Sequence, residues 1–364
     1  MSPHDLPISL PDYARAATQV LDANACAYFD GGAGDEATLA ENGNAWRALR
    51  LVPRVLRQLA GGSTRCRLLG RDLRHPILLA PVAYQRLAHP DGEIASACAA
   101  SAQGAGIVLS SQASVPLETV AAAIGDDRDR GPLWFQLYLQ HDDGFNRELV
   151  QRVECAGFDA LVLTVDAPCS GVRDRERRAE FRLPEGVAAV NLAGLPPRPP
   201  APADNALCGG LLRHAPCWDD VSRLAGWTRL PLILKGILHP ADARRAIEHG
   251  AAGVVVSNHG GRVLDTAIAT AHALPAIAEV LDRRIAVLVD GGIRRGTDVV
   301  KALALGADAV MIGRPQVHGL AVAGAQGVAH VIRLLRDELE VAMALCGCAT
   351  IAEIDTDVLA RGLP

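Results

Sequence analysis

The chain has 364 residues, a formal net charge of −5 and an ordinary globular composition, with 49% apolar and 21% charged residues. This charge balance excludes a strongly basic nucleic-acid-binding surface, and an aromatic content of 4% excludes a stacking platform for single strands. Nine cysteines without a CxxC pair predict reduced thiols. Because the sequence has neither a signal-like start nor an apolar run long enough to span a bilayer, we expect a cytoplasmic protein without membrane or nucleic-acid partners.

Residues 1–76 precede the repeating part of the chain and predict an N-terminal helical cap over one end of the fold. The glycine-rich stretch 31–34 indicates a helix stop followed by a turn. We therefore expect helices before this stretch and a change of chain direction at it.

From residue 77 onward, short apolar runs alternate with amphipathic stretches such as Asp242–His249 and Gly296–Leu305. Near-continuous apolar runs are typical of parallel strands that are buried on both faces. The eight runs are Ile77–Ala80, Ile107–Leu109, Trp134–Tyr138, Ala160–Val165, Leu232–Leu234, Gly253–Val256, Ile285–Val289 and Ala309–Ile312. They predict an α/β fold, a (β/α)₈ TIM barrel over 77–320 with C-terminal helices over 321–364, in a single domain.

The connection after the fourth predicted strand is much longer than the others. It contains Leu195–Asp204, in which five of ten residues are proline and which is therefore neither helix nor central strand. A long irregular connection at the active face of a barrel is most often a lid or a mobile loop, and we expect one here.

Polar residues or glycines follow every predicted strand. Since the carboxyl ends of barrel strands converge on one face, where barrel active sites lie, we expect a functional site at this face. The strand-end residues are Pro81, Ser110, Ser111, Gln136, Tyr138, Thr164, Asp166, Lys235, Ser257, Asn258, His259, Asp290, Gly291, Gly292, Gly313 and Arg314.

The strongest local motif is Ser257-Asn-His-Gly-Gly-Arg262. A strand delivers His259, two glycines permit a tight turn, and Arg262 returns three residues later. This spacing favours an imidazole base beside a guanidinium that binds a carboxylate through paired hydrogen bonds. A buried, hydrogen-bonded histidine with a surface arginine is the structural alternative.

Two further motifs, Asp290-Gly-Gly-Ile-Arg294 and Ile312-Gly-Arg314, follow the seventh and eighth predicted strands. Barrels commonly build a phosphate site there from backbone N–H groups. Together the two motifs predict a phosphorylated ligand.

Lys235 is one of only two lysines in the chain, and it ends an apolar strand. Such an ammonium forms a Schiff base, neutralises charge that develops on a ligand, or makes a structural ion pair. Asp166 is a candidate partner for an imidazolium on His259, although a metal ligand or a turn cap fits it equally well. No cluster of His, Asp or Glu has the spacing of a zinc or magnesium site, so we expect no metal.

These motifs closely resemble the FMN-dependent α-hydroxy acid oxidase and dehydrogenase family, which includes glycolate oxidase, lactate oxidase, mandelate dehydrogenase and hydroxymandelate oxidase. The likeness spans nearly the whole chain in the family's order. The motifs are Tyr28-Phe-Asp-Gly-Gly, Ala80-Pro-Val-Ala, Phe135-Gln-Leu-Tyr138, Leu163-Thr-Val-Asp166, Leu234-Lys-Gly, the two described for residues 257–262 and 290–294, and Ile312-Gly-Arg-Pro.

The resemblance implies FMN as the cofactor, bound at the barrel mouth. Its phosphate would be held by Arg294, Gly313 and Arg314, and Lys235 would lie beside N1 and O2 of the flavin ring. The full set of implied cofactor-binding residues is Pro81, Val82, Ala83, Ser110, Gln136, Thr164, Lys235, Ser257, Asp290, Gly291, Gly292, Arg294, Gly313 and Arg314.

The resemblance also implies the substrate-binding and catalytic residues. Tyr28, Arg173 and Arg262 would bind a substrate carboxylate, and Tyr138 would contact the α-oxygen. His259 would be the base, supported in its protonated form by Asp166, and Lys235 would complete the catalytic set. Removal of the hydroxyl proton with hydride transfer and removal of the α-carbon proton both fit this set.

The implied reaction is oxidation of an (S)-2-hydroxy acid to the 2-oxo acid. Ala83 favours O₂ as the acceptor, which yields H₂O₂, whereas a quinone or another acceptor would make the protein a dehydrogenase. Gln112 stands where glycolate oxidases carry Trp, and residues 80–87 are similar to those of hydroxymandelate oxidases, which implies a roomier pocket for an aryl side chain. A mandelate-like and a lactate-like substrate both stay open. The family likeness implies a homotetramer or octamer. A Schiff-base lyase using Lys235 and a non-catalytic flavin-binding barrel are the rival interpretations.

Overall fold

The structure is a computed structural model that describes residues 6–198, residue 207 and residues 211–360. Most of the proline-rich stretch Leu195–Asp204 lies outside the described residues, so its expected role as a lid or mobile loop stays a prediction.

The described residues form ten strands, and eight of them close into a barrel. The strands are β1 (Cys66–Leu68), β2 (Arg71–Leu73), β3 (Ile77–Leu79), β4 (Gly106–Ser110), β5 (Leu133–Leu137), β6 (Ala160–Thr164), β7 (Leu232–Ile237), β8 (Gly253–Val256), β9 (Ala286–Val289) and β10 (Ala309–Ile312). Strands β3 to β10 are all parallel and pair in chain order, and β10 returns to β3. Each of the eight predicted strands overlaps one of these.

A helix follows every barrel strand, which makes the fold a (β/α)₈ barrel as predicted. The helices are α1 (Leu10–Val20), α2 (Ala23–Asp30), α3 (Ala37–Ala48), α4 (Gly92–Gln103), α5 (Leu117–Ile124), α6 (Asp143–Cys155), α7 (Asp174–Arg178), α8 (Trp218–Ala225), α9 (Pro240–Glu248), α10 (Thr270–Leu281), α11 (Gly296–Ala304) and α12 (Arg314–Cys346). The long connection after β6 carries both α7 and α8. None of the described helices combines the length and the apolarity needed to cross a membrane.

The core has two layers because each barrel strand is buried on both faces. Val108, Trp134 and Met311 belong to the cluster inside the barrel, whereas Ile77 and Leu79 belong to the larger cluster between the strands and the surrounding helices. This double burial explains the uninterrupted apolar runs in the sequence.

The two ends of the barrel are covered differently. At the amino end, the antiparallel hairpin of β1 and β2 inserts Leu68 and Leu73 into the interior cluster, and Nη1 of Arg71 donates to Asp159 Oδ2 at 3.0 Å. Helix α3 lies at the carboxyl end instead, where Nε1 of Trp46 donates to the carbonyl oxygen of Gly291 at 2.8 Å. The expected N-terminal helices are thus present, and α2 ends at Asp30, directly before the glycine-rich turn.

Helix α12 changes direction at Ala323 and Gly324, whose backbone angles are not helical. Two short 3₁₀ turns, Ile351–Glu353 and Thr356–Val358, follow it in the described C-terminal part.

Candidate active site

The imidazole of His259 occupies the loop after β8 in an uncommon backbone conformation. Its φ of 58° lies in the left-handed region, and Gly260 and Gly261 continue that conformation with φ of 62° and 75°. A positive φ is uncommon for a residue other than glycine, although histidine adopts it more readily than most, and here it places the imidazole at the mouth of the barrel. Nδ1 of the ring lies 2.9 Å from Asp166 Oδ1, and Nε2 lies 3.4 Å from the hydroxyl of Tyr138.

The surroundings of the His259–Asp166 pair set its charges. Burial lowers the pKa of His259, and Asp166 only partly offsets this effect. Burial alone would raise the pKa of Asp166, but the neighbouring His259 and Lys235 outweigh it, so the pKa lies below its ordinary value. The pair therefore combines a neutral imidazole with an ionised carboxylate at neutral pH, as a general base with its supporting group requires.

Lys235 lies within β7, the strand between those that precede Asp166 and His259, and the ladder pairs it with Thr164 of β6. Its Nζ donates to Ser257 Oγ at 3.0 Å and lies 3.3 Å from Asp290 Oδ2. Although burial acts to lower the pKa of Lys235, the carboxylates of Asp290 and Asp166 raise it above its ordinary value. A protonated amine is a poor nucleophile, so this environment disfavours the Schiff-base interpretation.

Two largely buried guanidinium groups, those of Arg173 and Arg262, lie beside Tyr28 on the side of the cavity nearest to α2 and α7. Nη1 of Arg262 donates to backbone carbonyls of α2 and Gly31, and the guanidinium lies 5.1 Å from the centre of the Tyr28 ring. Nη1 of Arg173 and Nη2 of Arg262 both donate to Glu176 Oε1, at 2.9 and 3.3 Å. The two predicted carboxylate-binding arginines are thus adjacent, and one internal carboxylate joins them.

A second cationic group lies at the ends of β9 and β10. Burial lowers the pKa of Arg294, and burial together with Arg262 and Arg294 lowers the pKa of Arg314 to about 9. The Arg314 guanidinium donates to the carbonyls of Phe29, Gly31 and Gly260. Buried cations that crowd one another favour an anion between them, and a phosphate group has that chemistry.

All of these groups surround one cavity of about 300 Å³. Two buried polar atoms of its wall, Nε2 of Gln136 and Oδ1 of Asp290, have no hydrogen-bond partner among the described residues. Unpaired polar atoms in the wall suit hydrogen bonds to a polar ligand, and the buried arginines suit a phosphate. FMN carries both a polar ring edge and a phosphate, so these residues fit it. The cavity is lined by Tyr28, Phe29, Ala80, Pro81, Val82, Ala83, Tyr84, Ser110, Gln112, Gln136, Tyr138, Thr164, Ser170, Arg173, Lys235, His259, Gly260, Arg262, Asp290, Gly291, Gly292, Ile293, Arg294, Met311, Ile312, Gly313, Arg314 and Val317.

The cavity wall therefore includes every predicted site residue except Ser257 and Asp166. These two are placed behind the wall: Ser257 accepts hydrogen bonds from Lys235 and from the backbone of His259, and Asp166 supports the His259 ring. Ser257 thus supports Lys235 and the backbone of His259, and its predicted contact with the cofactor stays a prediction.

The sequence prediction did not include one participant, Glu176, and one contact, the ion pair of Asp290 with Lys235. Glu176 falls in the charged run Asp174–Arg178, which resembles an ordinary solvated helix. Asp290 was assigned to the cofactor alone, and its ion pair with Lys235 left no mark in either motif. Only the three-dimensional juxtaposition reveals these partners.

Comparison with known proteins agrees with this geometry. The model of the FMN-dependent dehydrogenase family matches residues 17–361. An L-lactate oxidase of Roseobacter sp. (strain GAI101) is 48% identical over 361 residues, which cover 98% of this chain and 96% of that protein. The 4-hydroxymandelate oxidase of Amycolatopsis orientalis is 44% identical, with 94% of this chain and 96% of the relative covered.

Solved structures give the same result at the level of the fold. The crystal structure of mandelate oxidase with benzoyl-formic acid superimposes with a TM-score of 0.87 at 42% identity, and covers 98% of this chain and 99% of its own. With the family model matched over almost the full length, the chain belongs to the FMN-dependent dehydrogenase family.

Proposed function

We propose that this protein oxidises an (S)-2-hydroxy acid to the corresponding 2-oxo acid and uses O₂ as the electron acceptor. Two hydrogen atoms leave the carbinol group of the substrate, and O₂ is reduced to H₂O₂. The observation that carries the proposal is the convergence of a His259–Asp166 pair, two arginines and a buried lysine on one cavity of an FMN-dependent dehydrogenase. The oxidase names of the relatives support O₂ as the acceptor.

Substrate binding rests on the arginine side of the cavity. Arg173 and Arg262 present guanidinium N–H groups that suit a carboxylate, and the hydroxyl of Tyr138 lies within reach of the same space. We infer that a substrate carboxylate held here directs its α-carbon toward His259, which lines the same cavity. Binding in one orientation is what converts a weak encounter into a reactive geometry.

The chemical step needs a proton acceptor at the α-carbon or its hydroxyl. Nε2 of His259 faces the cavity because Nδ1 is engaged by Asp166, so Nε2 is the atom that takes the proton. The Asp166 carboxylate then stabilises the imidazolium that forms. This arrangement serves hydride transfer and α-proton removal equally.

FMN, when bound, supplies the two-electron acceptor of the reaction. The residues that would hold it are Arg294, Gly313 and Arg314 at the phosphate, with the polar side chains of Ser110, Gln136 and Thr164 on the cavity wall. The Lys235 ammonium contributes a fixed positive charge, which stabilises negative charge that develops in the cavity during electron transfer.

The test is anaerobic mixing of the FMN-loaded protein with L-lactate, glycolate, (S)-mandelate and (S)-4-hydroxymandelate. At least one of them should bleach the yellow flavin absorbance, and admission of air should restore it with release of H₂O₂. Bleaching without recovery in air, but with recovery by a quinone, would replace the oxidase with a dehydrogenase. Absence of bleaching by a wide panel of 2-hydroxy acids would reject the proposed function.

The wider setting of the protein also belongs to the proposal. We expect residues 1–364 to act as a single catalytic domain, and to assemble as a homotetramer or octamer in the cytoplasm. Light scattering of the purified protein and cell fractionation test the last two points.

A further inference from the structure

Glu176 holds the only carboxylate that the described residues place on both predicted substrate-binding arginines. Its Oε1 accepts from Nη1 of Arg173 at 2.9 Å and from Nη2 of Arg262 at 3.3 Å. The three side chains are only 14–19% exposed, so water screens their charges poorly. In the sequence, the charged run Asp174–Arg178 resembles a solvated helix. Neither cofactor binding nor proton transfer, as described above, gives Glu176 a role.

The segment that carries Glu176 is firmly attached to the helix that carries Tyr28. Asn24 of α2 makes reciprocal hydrogen bonds with the backbone of Arg182, and Arg175 makes an ion pair with Glu36, which directly precedes α3. The ring of Phe181 stacks on Tyr28 at 4.8 Å between centres. These contacts hold α7 beside the cavity, where the Glu176 carboxylate lies against the two guanidinium groups.

The charges of this cluster determine how strongly it binds an anion. Two guanidinium groups with one resident carboxylate have a net charge of +1, and an entering carboxylate brings it to zero. Without the resident carboxylate the same two groups would attract an anion with a charge of +2. Nη2 of Arg173 and Nε of Arg262 make no hydrogen bonds with the described residues, so donors stay open for the entering group.

We propose that Glu176 is a positioning residue that joins Arg173 to Arg262 and, through its charge, limits the affinity of this pair for carboxylates. Because substrate and product both carry a carboxylate, the charge weakens the binding of both by the same factor. The limit protects turnover, since a pair that binds its carboxylate too tightly releases product slowly. This inference rests on the proposed function for the identity of the ligand. The expected direction of the change, tighter carboxylate binding when the Glu176 charge is removed, does not depend on it.

The experiment measures carboxylate binding without turnover. The FMN-loaded protein is titrated with acetate, which has no hydroxyl group to oxidise, and binding is followed by perturbation of the flavin spectrum. Glu176→Gln keeps the size and a hydrogen-bonding oxygen but removes the charge, so the Kd for acetate should fall about 3- to 10-fold. Glu176→Asp keeps the charge, and its Kd should stay within about two-fold of that of the unsubstituted protein.

Glu180→Gln is the matched control, because Glu180 is exposed on the same segment and makes no ion pair with the described residues. It should leave the Kd for acetate unchanged. In the turnover assay, Glu176→Gln should lower the KM for the hydroxy acid and the inhibition constant of the 2-oxo acid by the same factor. A purely structural role would weaken binding instead of tightening it.

The outcomes separate this inference from the proposed function. Tighter acetate binding by Glu176→Gln in a protein that oxidises no 2-hydroxy acid would support the role of Glu176 and reject the proposed function. Active turnover with unchanged or weaker acetate binding would overturn the role of Glu176 alone. The role of Glu176 would also be overturned if Glu176→Asp bound acetate as tightly as Glu176→Gln does, or if the protein bound no acetate at all.

Discussion

Nδ1 of His259 lies 2.9 Å from Oδ1 of Asp166, on the side of the ring that faces away from the cavity. The two residues follow strands β8 and β6, so the carboxylate reaches the ring across β7, the strand that carries Lys235. The contact fixes the orientation of the ring and leaves Nε2 as the working atom. The following predictions test this pair, the charged groups around it and the backbone that places them.

His259→Ala removes the proposed base and should leave the FMN-binding residues intact. Since a positioned base contributes about 10²- to 10⁴-fold to a rate, we expect flavin reduction by substrate to slow by about 10³-fold, with FMN occupancy unchanged. Anaerobic stopped-flow absorbance gives the rate, and the flavin-to-protein ratio gives the occupancy. His272→Ala, at an exposed histidine, is the control. Normal reduction by the His259→Ala protein would remove the base assignment.

The pH dependence should follow the lowered pKa of His259. A base must be unprotonated, so kcat/KM rises with pH through this pKa and is flat above it. Because burial holds the pKa below the ordinary value of about 6.5, the plateau should extend through neutral pH, and activity should be lost only in more acidic solution. An acidic limb centred above neutral pH would contradict this environment for His259.

Asp166→Asn should change both features of that profile. Without the carboxylate, the charged imidazole loses its main stabilising neighbour, so the pKa of His259 falls further and the acidic limb moves to lower pH. The plateau should drop about 100-fold, because the imidazolium that forms during the reaction is no longer supported. Steady-state rates across a pH series measure both shifts. A limb that moves to higher pH would show that Asp166 acts in another way.

The ion pair of Lys235 with Asp290 is buried, with side chains 5% and 9% exposed. Lys235→Met leaves the Asp290 carboxylate without this partner, which should lower the free energy of unfolding by about 3–5 kcal/mol. Asp290→Asn added to it should recover part of the loss, because no uncompensated charge is then buried. Urea unfolding of the FMN-free proteins measures the effect. Additive losses in the double variant would mean that the two residues act independently.

Arg294 should distinguish FMN from riboflavin, which lacks the phosphate. Arg294→Ala is expected to weaken FMN binding by about 10-fold or more, while riboflavin binding changes little. Fluorescence titration of the flavin-free protein with each compound measures both affinities. Arg284→Ala removes an arginine remote from the cavity wall and serves as the control. Equal weakening of FMN and riboflavin would place Arg294 away from the phosphate.

A substitution at Gly292 tests how closely α3 packs against the mouth of the barrel. Its φ is 86°, and a Cβ there would lie 2.4 Å from the carbonyl oxygen of Asn42. Gly157 has a φ of 80° with open space around it, so Gly157→Ala measures the conformational strain alone, about 1–2 kcal/mol. Gly292→Ala should cost clearly more than this in unfolding free energy and should weaken FMN binding. Equal costs for the two variants would mean that α3 adjusts freely.

The barrel could be predicted from the sequence because its strands are buried on both faces. Gly253–Val256 and Ala309–Ile312 were predicted with the bounds that the structure has, since no polar residue interrupts them. The hairpin of β1 and β2 escaped prediction because its strands have three residues each, with a charged residue in both. Such strands depend on the barrel they cover and carry no periodic signal of their own.

For the site, the sequence predicts which residues meet at the barrel mouth but not which of them pair. Strand-end positions are enough to place His259, Lys235 and Arg314 on one face of a closed barrel. They do not reveal the partners of each group, because pairing depends on side-chain direction and on loops of irregular structure. Lys235 with Asp290, and Glu176 with the two arginines, are pairs of this kind.

The hairpin that seals the amino end of the barrel leaves the carboxyl end as the doorway for small molecules. We therefore expect hydroxy acid, oxo acid and dioxygen to enter and leave at the same rim, where Arg175 of α7 makes its ion pair with Glu36. A change on that rim should alter oxidation of the substrate and reoxidation by air together.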